Sequence, residues 1–306
     1  EEGISILKQE ADVEVCGPLR EEGLVERLGG YDAILVRSST RVTARAIAAA
    51  PRLRVIGRAG VGVDNIDVEA ATRVGIVVVN SPGGNAVAVA EHTIGLILCL
   101  ARRISQAHLH VRSGRWERNR FLGTEVRGKT LGLLGLGRIG SEVARRALAL
   151  GMKVMAYDPA VSPERMESMG VTPAEVARIL PAADFLSVHV PLTRETQGLI
   201  GEEAIARMKP GAFVINCARG GVVDEQALAC ALREGRLAGA ALDVLSSEPP
   251  PPDHPLLKLD NVVITPHLGA STKEAQASVA VETARAVLGV LRGELVSGAV
   301  NVPAPA

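Results

Sequence analysis

Residues 128–158, GKTLGLLGLGRIGSEVARRALALGMKVMAYD, set the architecture of the chain. Residues 130–134 are an apolar run of strand length. The turn Gly135-Leu136-Gly137-Arg138-Ile139-Gly140 then has the G-x-G-x-x-G spacing. From Ile139 the apolar residues Ile139, Val143, Ala147 and Leu150 recur three or four apart, the period of an amphipathic helix. Residues 153–157 return to strand and stop on Asp158. Each part suits a dinucleotide. Gly135 permits the tight turn, Gly137 lets the backbone approach a pyrophosphate, and Gly140 lets helix and sheet pack closely. The N–H groups at the helix start face the anion. Asp158, 18 residues beyond Gly140, is placed to accept hydrogen bonds from the adenosine ribose hydroxyls. Its charge would repel a 2′-phosphate, so the cofactor expected is NAD rather than NADP.

Outward from this unit the same alternation continues in both directions. Before it, helices are expected at 2–8, 19–28, 43–50 and 68–73, and strands at 13–15, 33–36, 53–57 and 76–80. Ser81-Pro82-Gly83-Gly84 is a hinge-like break. A long helical region, 86–113, is interrupted near 103–105, and the irregular stretch 114–128 carries Trp116 and Phe121. After Asp158, helices at 173–180, 202–208 and 224–234 alternate with strands at 185–188, 212–216, 238–243 and 262–265. A last helix, 271–291, has Ser271 as expected N-cap and Glu274 at N3, a capping box. Alternating strands and helices imply parallel sheets and an α/β fold.

Bulk composition agrees. The 306 residues allow two ordinary domains, each with an ample core. Hydrophobic residues make up 47% but aromatics only 2%, so Ala, Val, Leu and Ile must fill the interior, as buried parallel strands require. The 34 cations balance 34 anions, which removes any global field toward nucleic acid or a membrane. Arginine supplies 28 of those cations, so local anion sites are open. Cys16, Cys99, Cys217 and Cys230 have neither metal nor disulfide spacing, which reads as a reduced, cytoplasmic protein. The apolar run 86–100 is broken by Glu91 and His92 and is too short to span a bilayer. The sequence opens without a signal-peptide pattern, so export is not expected.

Unusual side chains gather in loops after strands, where open α/β sheets bind ligands. These are His189-Val190-Pro191, the loop 216–221, Asp243, Glu248, and Pro266-His267-Leu268-Gly269. Arg219 follows a buried strand, and Gly220 and Gly221 give the backbone freedom to present it. A guanidinium there can hold a carboxylate bidentately and polarise an adjacent carbonyl. His267 is a natural proton donor or acceptor near neutral pH. Glu248, 19 residues earlier, can pair with it and stabilise its protonated form, or is simply a turn residue before the prolines. His189 is either a site residue or a satisfied loop histidine. Cys217 reads as a small buried thiol, Asp67 as a helix N-cap, and His108 and His110 as facing different sides of a helix. No metal site is expected.

Four segments carry a family resemblance. GRAGVGVDN (57–65), the 134–140 turn, NCARGGVVDE (216–225) and PHLGASTKEAQ (266–276) resemble the D-isomer-specific 2-hydroxyacid dehydrogenases over essentially the whole chain. The fold this implies is two doubly wound parallel-sheet domains, an NAD-binding Rossmann domain and a flavodoxin-like substrate domain, with the active site in the cleft. Residues 83–266 would form the NAD domain, and 1–82 with 267–306 the substrate domain.

The resemblance further implies catalytic roles for Arg219, Glu248 and His267. It places NAD contacts at Val61, Arg138, Ile139, Asp158 and Val190, at Cys217, Ala218 and Arg219, and at Asp243, His267, Gly269 and Ala270. The backbone N–H groups of Val61 and Gly62 would hold the substrate carboxylate. GASTKEAQ with Val36-Arg37-Ser38-Ser39 points to the branch that oxidises D-3-phosphoglycerate to 3-phosphonooxypyruvate in serine biosynthesis. Its phosphate would meet Arg37, Arg58 and, from a neighbouring subunit, Arg118, unless Asp32 and Asp64 satisfy the first two. A homodimer or larger assembly is implied, built on the long helices and residues 114–128. Alternatives are a glyoxylate or hydroxypyruvate reductase and an NAD-sensing transcriptional corepressor. The family also places a strand ahead of the helix in which this sequence starts, and many members continue into regulatory domains.

Overall fold

The computed structural model describes residues 1–302. The helices are α1 (Glu2–Leu7), α2 (Glu21–Arg27), α3 (Ala44–Ala48), α4 (Val68–Arg73), α5 (Ala86–Arg102), α6 (Ile104–Arg112), α7 (Arg138–Ala149), α8 (Pro163–Ser168), α9 (Val176–Ala182), α10 (Glu202–Arg207), α11 (Glu225–Arg233) and α12 (Lys273–Leu291). The strands are β1 (Ala33–Val36), β2 (Val55–Arg58), β3 (Val77–Val79), β4 (Thr130–Leu134), β5 (Lys153–Tyr157), β6 (Thr172–Pro173), β7 (Phe185–Val188), β8 (Phe213–Asn216), β9 (Gly239–Leu242) and β10 (Val262–Ile264). The chain forms two compact units. One joins residues 1–85 to the chain from Ser271 onward, and the other is Ala86–Ala270.

The second unit has a seven-stranded parallel sheet in the order β10-β9-β8-β7-β4-β5-β6. The strands run outward from β4 to β6 on one side and from β7 to β10 on the other. The order therefore reverses between β4 and β7, the switch point at which open α/β sheets bind ligands. Alternate side chains enter opposite cores. Leu131, Leu133, Phe185 and Ile215 pack with α5 and α7, while Leu186, Val214, Ala240 and Leu242 pack with α9, α10 and α11. Both faces are therefore apolar, which explains the near-continuous hydrophobic runs of these strands.

The first unit has a three-stranded parallel sheet, β1-β2-β3. Ile56 and Val78 face α2, α3 and α4, while Val55 and Val79 face α1 and α12. The C-terminal segment lines the free edge of β3, with Val300 N–H donating to Val78 O at 2.8 Å and Val78 N–H to Asn301 Oδ1 at 2.7 Å.

Some local expectations are corrected. Residues 13–15, Val13-Glu14-Val15, are irregular, because so short a segment makes a strand only when a neighbour takes its backbone bonds, and the sheet ends at β1 on one side. Helix α8 and the two-residue β6 were not anticipated. The N-cap of α12 is Thr272, whose Oγ1 accepts from Ala275 N–H at 3.0 Å; Ser271 lies one residue too early, and Glu274 is no longer at N3. The break in the long helical region is a single residue, Arg103, with left-handed φ of 51°. The expected cap of α4 holds: Asp67 accepts from Ala70 N–H at 2.8 Å. Asp32 pairs with Arg52 at 2.9 Å, not with Arg37 or Arg58.

Candidate active site

At the switch point the chain builds an anion cradle. Gly135 has φ of 96°, and a Cβ there would stand 2.5 Å from His189 O at the end of β7. A Cβ on Gly140 would collide with Gly135 O, so the helix can start this close only with glycine. A Cβ on Gly137 would meet nothing within 4 Å, because the space above it is open. Gly137 is the N-cap of α7 and offers no side-chain cap, leaving the first-turn N–H groups turned to that space. The cradle fits a pyrophosphate.

Asp158 closes β5 and braces the cradle. Its Oδ2 accepts from Leu136 N–H at 2.7 Å and its Oδ1 from Ala160 N–H at 2.9 Å. Each carboxylate oxygen keeps a further lone pair for a ribose hydroxyl. His189 lies under the turn. Its Nε2 sits 2.9 Å from Ser187 Oγ, and its buried Nδ1 has no hydrogen-bond partner among the described residues. Burial pushes its pKa down to about 4, so the ring is neutral near pH 7. Val190 follows it, half-buried.

The chemistry-bearing loops lie after β8, β9 and β10 of the same sheet. Nδ1 of His267 is 2.8 Å from Glu248 Oε2, and Oε1 of that carboxylate accepts from Leu245 N–H at 3.1 Å. Both side chains are about half exposed, as groups that must meet a ligand need to be. His267 holds a left-handed φ of 55°, costly for a residue with a Cβ by about 1–3 kcal/mol. Its N–H donates to Asp243 O and Thr265 O, each at 2.9 Å, which offsets that strain.

Asp243 organises the loop that carries His267. Its carboxylate accepts from Thr265 Oγ1 at 2.6 Å, Leu268 N–H at 2.7 Å and Gly269 N–H at 2.8 Å. His92 Nε2 on α5 adds a contact at 3.2 Å. Burial works to raise this carboxyl, yet the bonds from His92, Thr265, Leu268 and Gly269 outweigh it and hold it below the usual carboxylate range. Ala270, which ends the unit, packs on the α5–α7 core.

Arg219 sits on a loop stapled by Asn216, whose Nδ2 donates to Arg219 O at 2.9 Å and whose Oδ1 accepts from Ala218 N–H at 3.0 Å. Arg219 Nη1 donates to Ala218 O at 2.7 Å. A Cβ on Gly220 would strike Leu245 O, so the Arg219 loop and the Glu248 loop are packed backbone to backbone. Gly221 takes φ of 82°. Burial pushes the Cys217 thiol up to about 12, which makes it inert as a nucleophile.

In the first unit, Val36 pairs in register with Arg58, so Arg37 and Arg58 stand at one end of the sheet. Gly60, with φ of 141°, lies under the Arg58 guanidinium, where a Cβ would collide. Asn80 Nδ2 donates to Val61 O at 2.6 Å, fixing the loop that carries Val61 and Gly62. Arg118 belongs to the second unit, in a single 3-10 turn, Arg118–Phe121. His110 is buried and His108 exposed, on different sides of α6. Among the described residues, no helix is long and apolar enough to cross a membrane.

Three supporting residues escaped the sequence. His92 was visible only as a polar break in an apolar helix. Glu225 and His254, 29 residues apart, form a second histidine–glutamate contact at 2.8 Å.

Residues 94–269 match the family described as D-isomer specific 2-hydroxyacid dehydrogenase, NAD binding domain, and the chain belongs to that family. It is 53% identical over 304 residues to a D-3-phosphoglycerate dehydrogenase of Archaeoglobus fulgidus, covering 99% of this chain and 58% of that one. The chain thus spans little more than half the length of the curated relatives it matches. Among solved structures it is similar to the TT0316 protein of Thermus thermophilus, with a TM-score of 0.88 and 38% identity over 98% of this chain and 97% of that one. It is also similar to D-lactate dehydrogenase of Aquifex aeolicus complexed with NAD and lactic acid, with a TM-score of 0.81 and 35% identity, covering 88% and 86%.

Proposed function

We propose that the protein oxidises D-3-phosphoglycerate at C2 to 3-phosphonooxypyruvate, reducing NAD, at the first step of serine biosynthesis. The observation that carries this reading is the His267–Glu248 contact of 2.8 Å on the sheet that also bears the glycine cradle. The D-3-phosphoglycerate dehydrogenases to which the chain is similar supply the substrate. When bound, NAD provides the acceptor for the C2 hydride. The glycine turn and the N-terminus of α7 hold its pyrophosphate, and Asp158 takes its ribose hydroxyls and disfavours a 2′-phosphate. Val190, Cys217, Ala218, Asp243, Gly269 and Ala270 line its path.

His267 removes the hydroxyl proton through Nε2 while Glu248 holds Nδ1–H and balances the imidazolium. In the reverse direction His267 is the acid. Arg219 grips the carboxylate and C2 oxygen, and the N–H groups of Val61 and Gly62 hold the carboxylate. Arg37, Arg58 and, from a neighbouring subunit, Arg118 take the phosphate, which accepts bidentate arginine well.

The working form is a cytoplasmic homodimer or larger assembly. Trp116 is 80% exposed and Leu122 85%, and Leu109 of α6 is exposed as well, large apolar groups of the kind that subunits cover. Phe121 instead packs edge-on against His110 of its own chain, with ring centroids 5.1 Å apart. Sedimentation at micromolar concentration tests the assembly, and a monomer mass would refute it. NADH formation with a panel of 2-hydroxy acids tests the reaction. Turnover of 3-phosphoglycerate well above glycerate is expected; equal turnover would overturn the substrate assignment.

A further inference from the structure

The loop that carries Glu248 is gripped from two sides. Leu245 N–H donates to Glu248 Oε1 at 3.1 Å. The next N–H along, that of Ser246, donates to Glu225 Oε1 at 2.6 Å, and Ser246 Oγ donates to Glu225 Oε2 at 3.0 Å. Glu225 Oε2 also meets His254 Nε2 at 2.8 Å. Leu256 N–H points at His254 Nδ1, 3.4 Å away, so the neutral ring carries its proton on Nε2 and donates it to Glu225. One carboxylate therefore accepts three donors. The Glu225 and His254 side chains are only 12% and 11% exposed, so this carboxylate is a fixed point rather than a solvated charge. From the other side, the backbone at Gly220 presses on Leu245 O.

We propose that Glu225 and His254 are positioning residues for the reaction. They fix the Leu245–Ser246 turn, and that turn fixes the rotamer in which Glu248 reaches His267. This rests on the acid–base reading of His267 and Glu248 given above. Neither residue of the supporting pair touches the reacting atoms, and their effect passes through one backbone turn. A carboxylate displaced by about 1 Å can cost on the order of 10²-fold in rate, so a buried brace has a kinetic reason to exist.

The test compares Glu225→Gln, Glu248→Gln and the double variant. Glu225→Gln keeps the shape of the side chain but leaves one oxygen to serve three donors. NADH titration counts folded cofactor sites, and the ring ¹⁵N resonances of His267, assigned through His267→Asn, report the Nδ1 contact without turnover. In Glu225→Gln we expect kcat per NADH site to fall about 10- to 100-fold, with NADH affinity unchanged. The His267 Nδ1 resonance should move toward its Glu248→Gln position. The double variant should be no worse than Glu248→Gln alone, because coupled residues are not additive. Additive losses, or an unmoved Nδ1 resonance, would overturn the proposal.

If Glu225→Gln binds no NADH, Ser246→Ala decides. Ser246 is exposed, so losing its hydroxyl spares the core, and the same resonance should move with a loss of about tenfold for one charged hydrogen bond; an unmoved resonance sinks the proposal. An inert Glu248→Gln would bring down the acid–base reading and this inference together. A clear loss in Glu248→Gln beside an inert Glu225→Gln removes the positioning role alone.

Discussion

Nδ1 of His267 lies 2.8 Å from Oε2 of Glu248, although 19 residues and one strand of the sheet separate them in the chain. Two loops must be held at once for this contact to exist. Asp243 holds the histidine loop through Leu268 N–H and Gly269 N–H, and Leu245 N–H holds the glutamate. Such a carboxylate fixes the ring through Nδ1 and, on the proposed reading, leaves Nε2 to the substrate. His267→Asn should lower kcat by about 10²–10⁴ with NADH affinity retained. Near-wild-type turnover, with the chemical step limiting, would remove His267 from the mechanism.

The glycine cradle makes two substitutions diverge. Gly137→Ala meets nothing within 4 Å, so the fold should persist while NADH affinity falls, because the methyl takes the space proposed for the pyrophosphate. Gly140→Ala drives a Cβ into Gly135 O and should destabilise the unit by about 1–3 kcal/mol. Thermal unfolding with NADH titration separates them. A Gly137→Ala protein that binds NADH normally would mean that the turn is not the phosphate site.

On the proposed reading Asp158 carries two tasks, because its Oδ2 holds Leu136 N–H while its carboxylate is assigned to the ribose. Asp158→Ala should narrow the gap between NADH and NADPH affinity. It should also lower the unfolding midpoint, since a backbone donor loses its charged acceptor. Tighter binding of NADPH than NADH by the unmutated protein would contradict the cofactor assignment.

How much of this was legible depends on whether a residue answers to its neighbours in sequence or in space. Strands β4 and β5 are continuous apolar runs because both faces of their sheet are covered, so their limits read directly from the sequence. Residues 13–15 offer only Val13 and Val15 around Glu14 and have no partner strand, and pairing is a tertiary fact. The Thr272 cap differs from Ser271 by one residue, and both hydroxyls suit the position; only the backbone angle chooses between them. Arg219, Glu248 and His267 stood out as polar groups after apolar strands. Glu225 and His254 did not, because they lie in polar-looking segments 29 residues apart and their value comes only from meeting.

The buried His189 ring gives a pH dependence of stability. Its pKa falls from 6.5 to about 4 on folding, so between these values the unfolded chain binds more protons. Stability from this group is complete above pH 6.5 and declines by up to about 3 kcal/mol as the pH drops to 4. Asp184 and Asp243, held below the usual carboxylate range, add their losses only at lower pH. Denaturant unfolding across pH 4–7 should show the slope, and His189→Asn should flatten it. An unchanged slope would place the titration elsewhere.

Arg58 stands beside Val36 at the end of β2, one residue from Arg37 in register. If the pair binds phosphate, Arg58→Ala should cost phosphoglycerate about 1.5–3 kcal/mol in kcat/KM, or roughly ten- to a hundred-fold. A non-phosphorylated 2-hydroxy acid should lose far less. Equal losses on both would make Arg58 a structural residue, consistent with its guanidinium lying over Gly60.

The central claim is direct transfer of hydrogen from C2 of the substrate to the nicotinamide while His267 takes the hydroxyl proton. Incubating the protein with NAD and D-3-phosphoglycerate deuterated at C2, then weighing the reduced cofactor by mass spectrometry, tests it in one step. The account predicts NADH heavier by one mass unit, with the label fully retained in ordinary water. Unlabelled NADH would mean exchange with solvent and a different route, and no reduction of NAD by this substrate would contradict the account outright.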